Sequence, residues 1–293
     1  MLKRRRIYAI GHINGRSDLL EAMLVRINQD CADFQDPIAV VFTGNYIGSA
    51  PGGRKVLERM CALASRRAEC YFLRGRQEQD LLDCIYSNAG VHRMLHWMQN
   101  EGAALLQDYN IDVPAVPFRE TRFNDAETTQ ISATQAALQK ALRQSARPGS
   151  QTPLMFLSRT PLQSAQAGLL FCSAGVNPFK TLLNQNSEDL TLRHAEYSES
   201  AHHGLDKILV HGGAVPLQPG PQAWPDNAQP HTVNVDNSDS GTLSAGVFDM
   251  EWQDGVDTVW TIKPVRFIDT APKPIIEPQA VLDSRGAPMA YDF

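Results

Sequence analysis

What this sequence lacks narrows it before any motif is read. No apolar stretch approaches the roughly 20 residues that a membrane span requires, so an integral membrane protein is not expected. The apolar run after the basic start at Lys3-Arg4-Arg5-Arg6 lasts only four residues, too short for the core of a secretory leader. The five cysteines, Cys31, Cys61, Cys70, Cys84 and Cys172, include no C-x-x-C pair. That spacing disfavours a disulfide framework or a thiolate metal cluster and predicts buried thiols in a reducing cytoplasm. Basic charge is also scarce. The formal net charge is −5 and Lys3–Arg6 is the one basic run, so a nucleic-acid-binding surface is not expected. No internal repeat is visible. With 43% hydrophobic and 20% charged residues over 293 positions, the chain has the composition of a globular protein with a sizeable core.

What is present is a strand–loop–helix unit that occurs three times. Ile7-Tyr8-Ala9-Ile10 runs into Gly11-His12-Ile13-Asn14-Gly15-Arg16, and a helical pattern comes next in which Leu20, Met23, Leu24 and Ile27 share a face. Ser17 is the expected N-cap of that helix. Ile38–Phe42 leads into Thr43-Gly44-Asn45-Tyr46 and a helix with Val56, Leu57, Met60 and Leu63 inward. Cys70-Tyr71-Phe72-Leu73 leads into Arg74-Gly75-Arg76-Gln77-Glu78 and a helix with Leu81, Leu82 and Ile85 inward. Alternation of this kind with short loops calls for a parallel sheet, and in such sheets chemistry gathers at the carboxyl ends of the strands. Three polar loops are therefore expected to meet at one place.

The second half reads as strands at about Ala167–Cys172, Lys207–His211, His231–Val235, Thr242–Asp249 and Asp257–Ile262. Between the halves, Thr128–Arg143 reads as a surface helix, and residues Ser145–Pro153 as a loop. One domain over 1–262, with a variable insertion at about 110–152, and a Pro-rich tail over 263–293 is the expected organisation. The tail is expected to run extended over the surface or to stay partly mobile.

The three loops resemble those of the metallophosphoesterase superfamily, nearest to bacterial serine/threonine phosphatases of the phosphoprotein phosphatase type. That family reads GD-x-HG, GD-Y-x-DRG and GN-H-E, where this chain reads GHING, GNYIGSA and GRQE. Leu169–Val176 resembles the family strand ending in HAG, and Ile208–Gly213 the strand ending in HGH. The similarity spans roughly residues 5–250 and is weak between about 110 and 165. It implies a calcineurin-like α/β sandwich of two mixed β-sheets flanked by helices, with the site along one edge.

In that family two divalent metals polarise the phosphoryl oxygen and generate the hydroxide nucleophile. Position by position, the letters that hold the metals are replaced here. His12 stands for Asp, Asn14 for His, Asn45 for the bridging Asp, Arg76 for Asn and Gln77 for His. Ser173 and Gly213 stand for the two later histidines, and Gly48 and Ser49 for the Asp and Arg of the second block. Asn45 offers only a neutral carbonyl oxygen, and the guanidinium of Arg76 stays protonated and donates only. At an effective dielectric of 20, two unit charges 4 Å apart repel by about 4 kcal/mol, and a dication doubles that. Gln77, at the general-acid position, has no titratable proton. Glu78 matches the family Glu that mainly holds loops together.

The expectation is a catalytically inactive pseudophosphatase, with no metal and no cofactor, used to bind a protein partner. The insertion, the Pro-rich loop at 216–230 and the tail are the expected binding surfaces. Two alternatives stay open. One is a metal-independent reader of a phosphorylated ligand, with Arg16, Arg76 and Arg193 ringing the pocket, since arginine binds phosphate bidentately; the competing expectation is that these arginines pair with Glu78 or other carboxylates. The other is a residual phosphoesterase with an altered metal site, such as a lone metal on His12 with His211 or another nearby histidine.

Overall fold

In the computed structural model of the protein, the residues described are 2–66, 69–86, 88–144, 146, 150–192, 205–213, 221–224, 231–237, 241–253 and 260–270. Strand β1 (Leu2–Ile10) enters the core at once, and its alternation decides the architecture. Ile7 and Ala9 point to one face and Tyr8 and Ile10 to the other, and all four are fully buried. A strand apolar on both sides must be covered on both sides.

Helix α1 (Ser17–Asp30), β2 (Ile38–Phe42), α2 (Gly53–Ala64), β3 (Glu69–Phe72) and α3 (Arg76–Ile85) come next in the expected alternation. Helices α4 (Gly90–Gln99), α5 (Ala103–Asp108), α6 (Asp125–Leu142) and α7 (Pro153–Arg159) complete the helical layer. The second half supplies β4 (Gln163–Gln166), β5 (Leu169–Cys172), a 3-10 turn at Leu182–Asn184, α8 (Ser187–Thr191) and β6 (Ile208–His211). Then come β7 (Gln222–Trp224), β8 (Thr232–Asn234), β9 (Ser244–Gln253), β10 (Thr261–Ile262) and β11 (Arg266–Asp269).

Two mixed sheets result. The first runs β10-β9-β1-β2-β3, with β11 also on β9; the second runs β4-β5-β6-β8-β7. Strands β1, β2 and β3 are mutually parallel, as are β5, β6 and β8, whereas β9 lies antiparallel to β1. Ile7, Ala9, Val41 and Phe248 of the first sheet pack on Leu169, Phe171, Val210 and Val233 of the second. The rings of Phe171 and Phe248 meet edge to face at 6.4 Å. On its other face the first sheet buries Tyr8, Ile10, Val40 and Phe42 under the helices. This is the α/β sandwich of two mixed sheets flanked by helices that the resemblance implies.

Several local expectations are corrected. Ser17 is the first helical residue of α1, and the residue at its N-cap is Arg16, whose side chain makes no capping bond. Helix α6 is more than a surface helix. It starts at a capping box between Asn124 and Glu127 and buries Ile131, Thr134, Leu138 and Leu142 against α3, α4 and α7. Helix α7 begins at the end of the stretch expected to be a loop, with Thr152 as N-cap and Pro153 in the first turn. Beyond residue 262, Arg266–Asp269 pairs antiparallel with Val247–Ser244, so the first sheet continues into the stretch assigned to the tail. Arg266 is fastened there by a two-pronged contact with Asp30 at 2.6 and 2.7 Å. Among the described residues, no helix is long and apolar enough to cross a membrane.

Candidate functional site

Because both strand sets are parallel, the carboxyl ends of β1, β2, β3, β5, β6 and β8 come out on one edge. Glycine lets their loops close up. Gly44, at φ +100°, lies so near the next loop that an added Cβ would fall 2.5 Å from the amide nitrogen of Gly75. Gly212 similarly leaves room for an imidazole, since a Cβ there would fall 2.5 Å from Nε2 of His12.

Glu78 ties two of these loops together. Its side chain is fully buried, and its carboxylate accepts the N–H groups of Asn45 (2.7 Å), Tyr46 (2.8 Å), Ile47 (3.2 Å) and Gly75 (3.0 Å). Burial pushes this carboxyl above its ordinary range, while the four amides pull it back. Each oxygen takes two donors, which fills the lone-pair positions and leaves no place for a proton.

His12 ties the first sheet to the second. It is 6% exposed. Its backbone N–H donates to Asp236 Oδ1 at 3.2 Å, and its Nδ1 lies 3.4 Å from Asp236 Oδ2. Nε2 faces the Ser173 carbonyl at 3.1 Å and Ser173 Oγ at 3.2 Å. Asn45 supplies the remaining contact, with Nδ2 3.1 Å from Nδ1. Burial pulls the imidazole down, but the charge and hydrogen bond of Asp236, the charge of Glu78 and the Ser173 carbonyl outweigh it, and the net direction is up.

Ser173, His12 and Asp236 have the outline of a nucleophile, a base and an orienting acid. The polarity is wrong for that chemistry. The Gln77 N–H donates to Asn45 Oδ1 at 3.1 Å, which turns the Asn45 amide nitrogen toward Nδ1 of His12. Neutral His12 therefore accepts at Nδ1 and carries its hydrogen on Nε2, donated to the Ser173 carbonyl. Protonation adds a hydrogen at Nδ1, facing Asp236. In both forms Nε2 is a donor and cannot take a proton from Ser173 Oγ. Ser173 is moreover completely buried.

Two divalent metals do not fit the donor set that the described residues supply. Among the described residues, Asp236 is the carboxylate in contact with His12, and it already accepts N–H groups from His12 and from Gly213, each at 3.2 Å. The carbonyl of Asn45 is spent on Gln77, and neither ring nitrogen of His12 is open. Among the described residues, no three His, Cys, Asp or Glu side chains stand together as a metal site. His211 points Nδ1 at the Gly212 carbonyl, 2.8 Å away.

The other predicted positions support the loops or lie away from the node. Asn14 adopts φ +51° and donates its N–H to the Asn45 carbonyl at 2.8 Å, so it shapes the loop. Gly48 packs against Asn14, and Ser49 is exposed. Arg76 reaches along its own helix to Asp80 at 2.6 Å, and Asp80 also holds Arg93 at 2.5 Å. Arg16 holds Asp18 at 2.6 Å. Both guanidinium groups thus lie on carboxylates near them in sequence. Arg193 falls outside the described residues, as does most of 216–230. Asp236 is the site residue that the motifs do not point to. Its only signal is an acid just past a strand reading Thr232-Val233-Asn234-Val235, at the carboxyl end where polar groups gather.

No family model matches the chain, and no curated protein matches it at a significant level. Solved structures do. A candidate diadenosine tetraphosphatase shares 14% identity at a TM-score of 0.49, over 92% of this chain and 95% of its own. A serine/threonine phosphatase of Saccharomyces cerevisiae shares 10% at 0.43, over 92% and 82%. A metallophosphoesterase of Sphaerobacter thermophilus shares 14% at 0.42, over 84% of each. Identities and scores this low carry neither a family assignment nor an activity to this chain.

Proposed function

We propose that this chain is a catalytically inactive, phosphatase-like protein whose sandwich serves to bind a protein partner. The observation that carries this reading is the His12 node. Where a phosphoesterase needs several open anionic and imidazole donors, the His12 node offers, among the described residues, one imidazole and one carboxylate, each already engaged by protein groups. At the positions where the resemblance places base, acid and metal-holding groups stand other residues, while Glu78 and the close-packed glycines hold the loops in place. A fold maintained in that way without its chemistry suits recognition.

The test is direct. Protein grown with manganese should carry no stoichiometric metal by elemental analysis and show no chelator-sensitive turnover of a generic phosphate ester. Affinity capture from the native cell should return a defined protein that co-elutes at fixed stoichiometry. Metal approaching two equivalents per chain, with turnover abolished by chelator, would overturn the proposal.

A further inference from the structure

Within the helical layer, a cavity of about 470 Å³ opens between α1, α2 and the residues that lead into α7. A space of that size suits a small ligand. Among the described residues, one side of α2 forms its main wall. Lys55, Arg59 and Ala62 follow at spacings of four and three, so they share a face of the helix. Glu21 of α1 stands across from Arg59, and Gln151 and Pro153 border the other side. Ala62 keeps the space open, because a longer side chain at that place in the wall would reach into it.

The charges around this cavity do not cancel. Glu58 is held by Arg54 at 2.8 Å, and Arg54 does not line the cavity. Glu21 Oε1 lies 3.0 Å from Arg59 Nε. That is an ion pair by distance, yet the Arg59 Nε–H meets no acceptor in hydrogen-bonding geometry among the described residues. Glu21 therefore balances the charge of Arg59 without engaging its fork of donors. Lys55 has no carboxylate within ion-pair distance among the described residues. The wall thus carries an ammonium in excess, one helical turn from a guanidinium whose donors are not spent on protein. A guanidinium takes two oxygens of a phosphate side by side, and an ammonium one turn away can take a third.

We propose that this cavity binds a small phosphate-bearing molecule, with Arg59 and Lys55 on the phosphate and its apolar body along Ala62 and Pro153. The inference is independent of whether the strand-end edge turns over phosphate. Calorimetry on the full chain at constant ionic strength tests it, with phenylphosphonate as a phosphate mimic that cannot be hydrolysed and benzoate as the carboxylate control. One molecule of phenylphosphonate should bind per chain, at least about tenfold tighter than benzoate. Lys55→Gln, at an exposed position, should weaken binding about tenfold. Ala62→Leu, which fills the space and keeps every charge, should abolish it. Arg76→Ala, at the strand-end edge, should leave it unchanged. No binding of phenylphosphonate at about 10 mM, equal binding of benzoate, or affinity indifferent to Lys55→Gln and Ala62→Leu would each overturn the proposal. So would a loss caused by Arg76→Ala, which would put the anion at the strand ends instead.

Discussion

Glu78 and Arg76 lie two positions apart at the start of α3, and they occupy opposite worlds. Glu78 is sealed from water and holds four backbone amides from two loops. Arg76 is partly exposed and holds one carboxylate on its own helix, which a second arginine also holds. The resemblance puts the first at a position that braces loops and the second at a position that binds metal. The bracing residue is the one retained. The same division runs through the whole edge. Gly44 and Gly75, which let two loops touch, are present, while the positions that the resemblance assigns to metal binding carry other residues. Loop bracing and surface charge pairing are thus separable here at single-residue resolution.

That separation can be broken most sharply at Glu78. Glu78→Ala leaves four buried N–H groups without an acceptor and should destabilise the fold by about 3–5 kcal/mol in denaturant melts. A smaller loss would mean that water replaces the carboxylate. His12→Ala removes the contact between the sheets and strands the buried Asp236 carboxylate; about 2–3 kcal/mol is expected. Gly212→Ala drives a methyl to 2.5 Å from the His12 ring and 2.8 Å from Thr43 Oγ1, and should cost about 1–3 kcal/mol through overpacking. At the other extreme, Arg76→Ala should move stability by no more than about 0.5 kcal/mol, because Arg93 still neutralises Asp80. A large effect at Arg76 would erase the distinction between the two residues.

The same comparison has a pH form. Asp236 and Glu78 raise the His12 imidazole above its ordinary value of 6.5 in spite of burial. A group raised in the folded state contributes stability that is fully present below the ordinary value and is lost as pH climbs through the folded one. Melting temperature should therefore fall as pH rises from about 6 through neutrality. His12→Asn should flatten that part of the profile, and a profile unchanged by the substitution would remove His12 as its source.

Much of this fold is legible in the chain because buried parallel strands leave a plain mark. Ile7–Ile10, Val40–Phe42 and Leu169–Cys172 are apolar on both faces and end at glycine or small polar residues, so the sheet centres and their meeting edge can be read directly. The parts that escape such reading are short or depend on remote partners. Strand β7 is three residues long and exists because β8 pairs with it. Strand β11 sits in a proline-rich stretch and shows no polar–apolar alternation, because Phe267 and Ile268 pack on opposite faces of the first sheet. Helix α6 shows few large apolar residues, and only its contacts with α3, α4 and α7 reveal how deeply it is set. Asp236 acts through space on His12, 224 residues away, and no local pattern announces such a pairing.

The seam between β1 and β9 bears on how the chain is made. β1 is central, yet β9 is synthesised near the other end, so that Arg6 and its partner Asp249 lie 243 residues apart. Until that distant strand leaves the ribosome, one side of β1 presents unsatisfied amides and carbonyls to whatever chain is near. A nascent protein halted before β9 therefore has an open seam at its heart. Chaperone occupancy should last until β9 has emerged, and fragments ending upstream of it should aggregate rather than settle as partial domains.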